Sequence, residues 1–209
     1  MRRAHIVGIC EEILKRGIRV KWEAPARVDT ADRPLLELMR KAGCVRLRYG
    51  VESGDENILK LMNKQIDLKQ AKEVFRLTKA SGIETFAYFM LGYAHENAET
   101  IKRTINFAIE LDPGLVMFTV TTPYPNTPLY ELARREGFIK NDYWREFTLG
   151  KNKGQRIPYF VPDADQWVKK AYRSFYIRPY YMLNRLGMIR SWDDLMKCAR
   201  AVSGILWMK

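Results

Sequence analysis

Four times in succession a segment with the apolar period of a helix runs into a glycine and then into a short apolar strand, and this alternation restricts the fold more than any other feature of the 209-residue chain. In the first round Ile6, Ile9, Ile13 and Leu14 form the stripe of a helix over about residues 4–16, Gly17 stands as its C-terminal cap, and a strand is expected over 18–23. Leu35, Leu36, Leu38 and Met39 then lead to Gly43 and a strand over 45–49, and a helix over 71–80 leads to Gly82 and a strand over 83–91. A fourth helix, over about 99–111, passes through Asp112-Pro113-Gly114 into a strand over 115–121. Crossovers of helix length imply a parallel sheet, because antiparallel neighbours are joined by tight turns. Four such units suit either an open doubly wound sheet or part of a barrel, and spacing alone does not separate the two.

After Gly137 the rhythm ends. Residues 141–162 carry Gly150, Gly154, Pro158 and Pro162 with no period, so an irregular connector is expected. Asp163 is placed to cap a helix through about residue 176, and Ser191, with Asp194 following, to start another through about 203. The chain therefore divides into an α/β part, 1–138, and a connector with a helical extension, 139–209.

The apolar fraction, 47%, is that of a folded protein. The longest apolar run, over 86–91, is far short of the roughly 20 residues that span a bilayer, and Met1-Arg2-Arg3 is followed by no signal-peptide core, so the expected location is cytoplasmic. Cys10, Cys44 and Cys198 are odd in number and far apart, which fits isolated thiols in a reducing compartment. With only His5 and His95, no zinc or other metal site is expected. The net charge of +12 is uneven: residues 134–209 hold 16 Lys/Arg against 7 Asp/Glu. Such a segment attracts phosphates, nucleic acid or an acidic partner, or is simply a solvated face.

Three strands end in loops rich in Gly, Pro and polar groups, where ligands sit in repeating strand–helix folds. They read Tyr49-Gly50-Val51-Glu52-Ser53-Gly54-Asp55, Leu91-Gly92-Tyr93-Ala94-His95-Glu96 and Thr122-Pro123-Tyr124-Pro125-Asn126-Thr127-Pro128. No GxGxxG or Walker loop follows any strand. In order and spacing the three loops resemble GVESG, GLPGET and PYPGT of the radical S-adenosylmethionine (SAM) superfamily, over roughly residues 15–138. Ala94, His95 and Asn126 depart from those patterns, the last mildly because Asn tolerates positive φ. The resemblance implies the last four strands of a six-stranded partial (β/α) barrel.

It also implies cofactor contacts. Glu52 and Ser53 lie in the loop that borders S-adenosylmethionine in the family, and Gly92 in a loop that allows close backbone approach. Glu23 and Arg27 match a polar residue and an Arg often seen near the ribose or methionine carboxylate. Tyr88 is expected to point inward. Plainer readings stand beside these: Ser53 or Asp55 as a helix cap, Arg27 in an ion pair, Glu96 favouring a helix N-terminus, His95 merely exposed, and Tyr124 either lining a cavity or holding a rigid turn. The tail interleaves aromatics and bases from Tyr172 to Tyr181, either as a single-strand nucleic-acid platform or as a packed stripe. Its Phe-Tyr-x-Arg-Pro element is similar to tails of family members that carry a cobalamin-binding domain, which admits cobalamin as a further cofactor.

The CxxxCxxC that holds the family's four-iron, four-sulfur cluster is absent from the sequence. In the family an electron from this cluster cleaves S-adenosylmethionine to a 5′-deoxyadenosyl radical. The expectation is therefore a C-terminal fragment or subunit of such an enzyme, inactive alone, with the cluster half upstream or on another polypeptide. The alternative is a non-enzymatic half-barrel module that engages nucleic acid or a protein through its basic tail.

Overall fold

The computed structural model describes residues 3–139, 142–151, 157, 159–187 and 191–207. Its elements run α1 (Arg3–Lys15), β1 (Trp22–Ala26), α2 (Arg33–Lys41), β2 (Cys44–Glu52), α3 (Glu56–Leu61), α4 (Leu68–Ala80), β3 (Glu84–Leu91), α5 (Ala98–Leu111) and β4 (Leu115–Val120). They continue with α6 (Pro128–Arg135), α7 (Tyr143–Thr148), α8 (Ala164–Tyr176), α9 (Pro179–Leu186) and α10 (Trp192–Leu206). The strands form one sheet in the order β1-β2-β3-β4, with β1–β2 and β2–β3 parallel. Strands in sequence order have no switch point, whereas a doubly wound sheet reverses direction at one. The sheet is thus a stretch of (β/α) barrel wall, as expected, with helices in the crossovers.

The chain packs as two compact units: Met1–Phe89 with Arg103–Met117, and Met90–Lys102 with Phe118–Lys209. In the first, alternate strand residues decide which face is covered. Leu47, Tyr49 and Val51 of β2 and Ala87 and Phe89 of β3 are fully buried on the helix-covered face. There the Tyr49 ring lies 5.0 Å from Phe75 of α4, and its hydroxyl is 2.8 Å from that of Thr78. Arg46, Arg48, Gly50, Glu84, Phe86 and Tyr88 lie half-exposed on the opposite face. Helix starts follow local caps: Asp32, Asp55 and Asp67 accept from first-turn amides of α2, α3 and α4.

The first strand is displaced from its expected span. Residues 18–21 are irregular, with Ile18 50% and Val20 41% exposed, and β1 begins at Trp22. A pairing partner decides this. Trp22 donates its amide to the Gly43 carbonyl and its indole N–H to the Ala42 carbonyl, while the Val20 carbonyl occupies the space where a Gly43 side chain would stand. Gly43, at φ +93, is the residue that lets the chain cross so closely.

In the second unit Ala94, Tyr130, Ala133, Ile139 and Phe160 form a buried cluster. The expected irregular connector contains a helix, α7: Asp142 accepts from the Arg145 amide, and Tyr143, Trp144 and Phe147 pack together. Gly and Pro density hid it, because a single capped turn of helix has no detectable period. Gly154 and Pro158 of that connector lie outside the described residues. Helices α8 and α10 occupy the expected spans, although Asp163 makes no side-chain bond to the amides of α8. Proline at the first turn of α9 starts a further helix within the aromatic and basic tail.

Candidate functional site

The end of β2 is built by a backbone irregularity. The pairing of β2 with β3 shifts register between Gly50 and Glu52, and Glu52 takes φ 69, a conformation that L residues with side chains adopt at a cost. The Glu52 carboxylate folds back across Gly50, where an added Cβ would lie 2.8 Å from its Oε1. Lys64 Nζ pairs with the same oxygen at 3.2 Å, and only 16% of the Glu52 side chain is exposed. A cavity of about 300 Å³ opens beside them, lined by Ala26–Asp29, Gly50, Glu52 and residues 63–66. Lys64 reaches it because Asn63, at φ 54, ends the turn after α3. An Asn just past a helix is the sequence signal for that turn, but that Lys64 then meets Glu52 follows only from the fold.

The rest of the loop is fastened to α5. Ser53 is fully buried; its hydroxyl lies 3.0 Å from that of Thr104 and accepts from the Asp55 amide. The Gly54 amide also donates to Thr104 Oγ1. Asp55 caps α3 through the amides of Asn57 and Ile58 and pairs with Arg103 Nε at 3.1 Å. The side-chain oxygens of Ser53 and Asp55 are therefore used in holding the turn, which leaves Glu52 as the acid of this loop that lines the cavity.

Glu23 and Arg27, four residues apart, do not pair with each other. Arg27 makes a two-pronged contact with Asp29 at 3.0 and 2.8 Å, which holds the Asp29 carboxyl below its ordinary range. Glu23 pairs with Arg46 at 3.1 Å, and Arg46 also binds Glu84 at 2.7 Å. Tyr88 stacks on Phe86 with ring centres 4.7 Å apart, on the half-exposed face of β3.

In the second unit Gly92, at φ +77, lies against α8: a Cβ there would stand 3.1 Å from that of Ala164. The Glu96 carboxylate accepts from the Tyr93 amide at 2.8 Å and so ties its own loop. His95 adopts φ 65 and Asn126 φ 61, so both stand in the left-handed conformation that suits the glycines of the patterns they replace. His95 is more than half exposed and 3.7 Å from Glu136. Tyr124 is exposed and rests on Trp144, whose indole N–H donates to the Pro123 carbonyl. In the tail Arg178 packs on the Phe175 and Tyr181 rings, and Arg185 donates to the Tyr181 hydroxyl.

The thiols do not suit an iron-sulfur cluster. Cys10 and Cys44 are buried, and burial pushes the Cys44 thiol up to about 11, so it stays protonated. Among the described residues no three His, Cys, Asp or Glu side chains come together as a metal site, and no helix is long and apolar enough to cross a membrane.

A parallel barrel wall with an acid-lined cleft at a strand's C-terminal end defines an α/β protein of the barrel class, in which strand ends are the usual place for ligands. Residues 2–108 match the radical SAM superfamily, and the chain belongs to it. Over 184 residues it is 29% identical to an uncharacterised methyltransferase of Pyrococcus horikoshii, covering 88% of this chain and 40% of that one. The anaerobic magnesium-protoporphyrin IX monomethyl ester cyclase of Cereibacter sphaeroides is 34% identical over 138 residues, 64% of this chain and 22% of the cyclase. The chain thus spans less than half the length of these relatives. Among solved structures, the radical S-adenosylmethionine methyltransferase TsrM of Kitasatospora setae, with cobalamin and a 4Fe-4S cluster bound, matches with a TM-score of 0.58 and 19% identity, over 66% of this chain and 29% of TsrM. That likeness is one of fold.

Proposed function

We propose that residues 1–138 form the S-adenosylmethionine-binding wall of a radical SAM enzyme, with residues 139–209 as its connector and helical extension. The observation that carries this reading is the Glu52 carboxylate, held in a strained backbone over Gly50 at the rim of the cavity. A carboxylate so placed accepts from the two hydroxyls of a ribose, which is what a nucleoside cofactor offers. Asn63 and Gln65 bring amide groups to the same cavity. Arg27 and Glu23 are candidates for the amino-acid end, Arg27 once it exchanges Asp29 for a ligand carboxylate. Tyr88 is proposed to flank the ligand. Ser53 acts by positioning Glu52 through its bond to Thr104, and Gly92 is a separate candidate in the other unit. S-adenosylmethionine bound there supplies radical or methyl-transfer chemistry, and the relatives' names, a methyltransferase and a cyclase, support a reaction of that class.

The cluster is a different matter. Buried, protonated thiols at Cys10 and Cys44 do not fit it, so we propose that its ligands come from outside these 209 residues and that the isolated chain is inactive. Cobalamin enters the proposal through the resemblance of Phe175-Tyr176-Ile177-Arg178-Pro179 to tails of family members that carry a cobalamin-binding domain; TsrM, similar in fold, binds cobalamin.

Calorimetric titration of the purified chain with S-adenosylmethionine tests the cofactor reading. Saturable binding, weakened about tenfold in Glu52→Gln by loss of a charged acceptor, is expected. No binding, or equal binding by the variant, would overturn it.

A further inference from the structure

The half-exposed face of the first unit carries two arginines in successive positions, and they differ in what holds them. Arg46 stands in register with Glu23 on β1 and Glu84 on β3 and pairs with both. Arg48, one layer nearer the strands' C-terminal ends, stands in register with Pro25 and Phe86, neither of which carries a side-chain acceptor. Its Nε is buried and has no hydrogen-bond partner among the described residues. A buried guanidinium N–H without an acceptor carries a desolvation cost, and a ligand acceptor removes it.

The surroundings narrow the ligand. Phe86 flanks Arg48 and stacks with Tyr88 at an interplanar angle of 19°, which gives the layer a flat aromatic wall. Tyr88 in turn stands in register with Gly50, which puts no side chain beside it. The charge nearby is set by the layer below, where two carboxylates share Arg46 and leave one negative charge about 7 Å away. Arg48 offsets that single charge, so the face accepts a monoanion more readily than a dianion.

We propose that Arg48 is an anion-binding residue of the substrate site, and that it takes a carboxylate attached to a flat, conjugated body which lies along Phe86 and Tyr88. The planar fork of Arg matches a carboxylate with two parallel hydrogen bonds. This inference rests on the reading of the face as ligand-facing, but it does not require S-adenosylmethionine to bind.

The test is NMR of the Arg48 Nε–Hε group in the full chain, titrated with sodium benzoate, with neutral benzamide and with inorganic phosphate. Benzoate is expected to shift the resonance saturably, benzamide to leave it unmoved, and phosphate to bind more weakly than benzoate. In calorimetric titration, used because the Arg48 variants lack that resonance, Arg48→Lys, which keeps the charge but loses the fork, should weaken benzoate at least fivefold, and Arg48→Met should abolish binding, while Arg19→Met, at an exposed site, changes nothing. Equal effects of benzoate and benzamide, phosphate binding as tightly as benzoate, or unchanged benzoate affinity in the Arg48 variants would overturn the proposal. Should Arg48→Met not fold, the wild-type resonance and Arg48→Lys decide. Benzoate binding without S-adenosylmethionine binding would uphold this site and sink the cofactor reading, and the converse result would do the reverse.

Discussion

The hydroxyls of Ser53 and Thr104 lie 3.0 Å apart although 51 residues separate them in the chain. Thr104 Oγ1 also accepts from the Gly54 amide, so one threonine of α5 secures the turn that carries Glu52. Thr104→Val, which keeps the shape and removes the oxygen, should destabilise the protein by about 1–3 kcal/mol through the buried groups it strands. Urea denaturation monitored by fluorescence measures this; an unchanged midpoint would show that the turn holds itself.

Gly50→Ala separates fold from site. Its Cβ would meet only the end of the flexible Glu52 side chain. Stability should therefore change by less than about 1 kcal/mol, whereas the displaced carboxylate should lower S-adenosylmethionine affinity. A variant with wild-type melting and wild-type affinity would count against Glu52 as the acceptor.

Two glycines that precede strands predict different costs. Gly17, at φ +63, has open space around its missing side chain, and Gly17→Ala should cost about 1–2 kcal/mol from backbone conformation alone. At Gly43 a Cβ meets the Val20 carbonyl as well, so Gly43→Ala should cost about 3 kcal/mol or more, or prevent folding. Equal losses in thermal melts of the two variants would mean that the crossing at Val20 yields easily.

The Cys44 thiol sets an alkaline limb. Its pKa is 9.0 when unperturbed and about 11 in the fold. The native state thus holds its proton where the unfolded chain releases one, so stability is full below pH 9 and declines as pH rises from 9 towards 11. Cys44→Ala should flatten that decline in melts across this range, and iodoacetamide at pH 8 should label the partly exposed Cys198 before buried Cys10 and Cys44.

Anaerobic reconstitution with iron and sulfide checks the missing cluster. The isolated chain should take up no 4Fe-4S cluster and show no charge-transfer absorbance. Stoichiometric uptake would refute the assignment of the cluster ligands to residues elsewhere.

The helix–glycine–strand rhythm was legible because it depends on local properties, namely apolar period and left-handed caps, and β3, α5 and α8 stand within a few residues of their expected spans. The first strand was misplaced because residues 18–21 have strand-like composition and no partner; Trp22 has one in Gly43. Glu52 is a candidate from the loop in which it stands, and its carboxylate lies at the rim of the cavity. Lys64 and Thr104 were not readily legible, since each meets the loop only after the chain has returned to it.

By itself the sequence determined the class of fold, the order of its units and the strand-end loops that align it with its superfamily. Only the tertiary structure decided between barrel wall and doubly wound sheet, because strand order depends on which edges pair. It also decided how the acids are held: Glu23 pairs with Arg46, Asp29 with Arg27 and Glu52 with Lys64, and the last two pairs line the cavity together. Arg46 and Arg48 look alike in sequence, and pairing across strands, a property no single segment contains, separates a saturated ion triad from a cation with a buried N–H to offer.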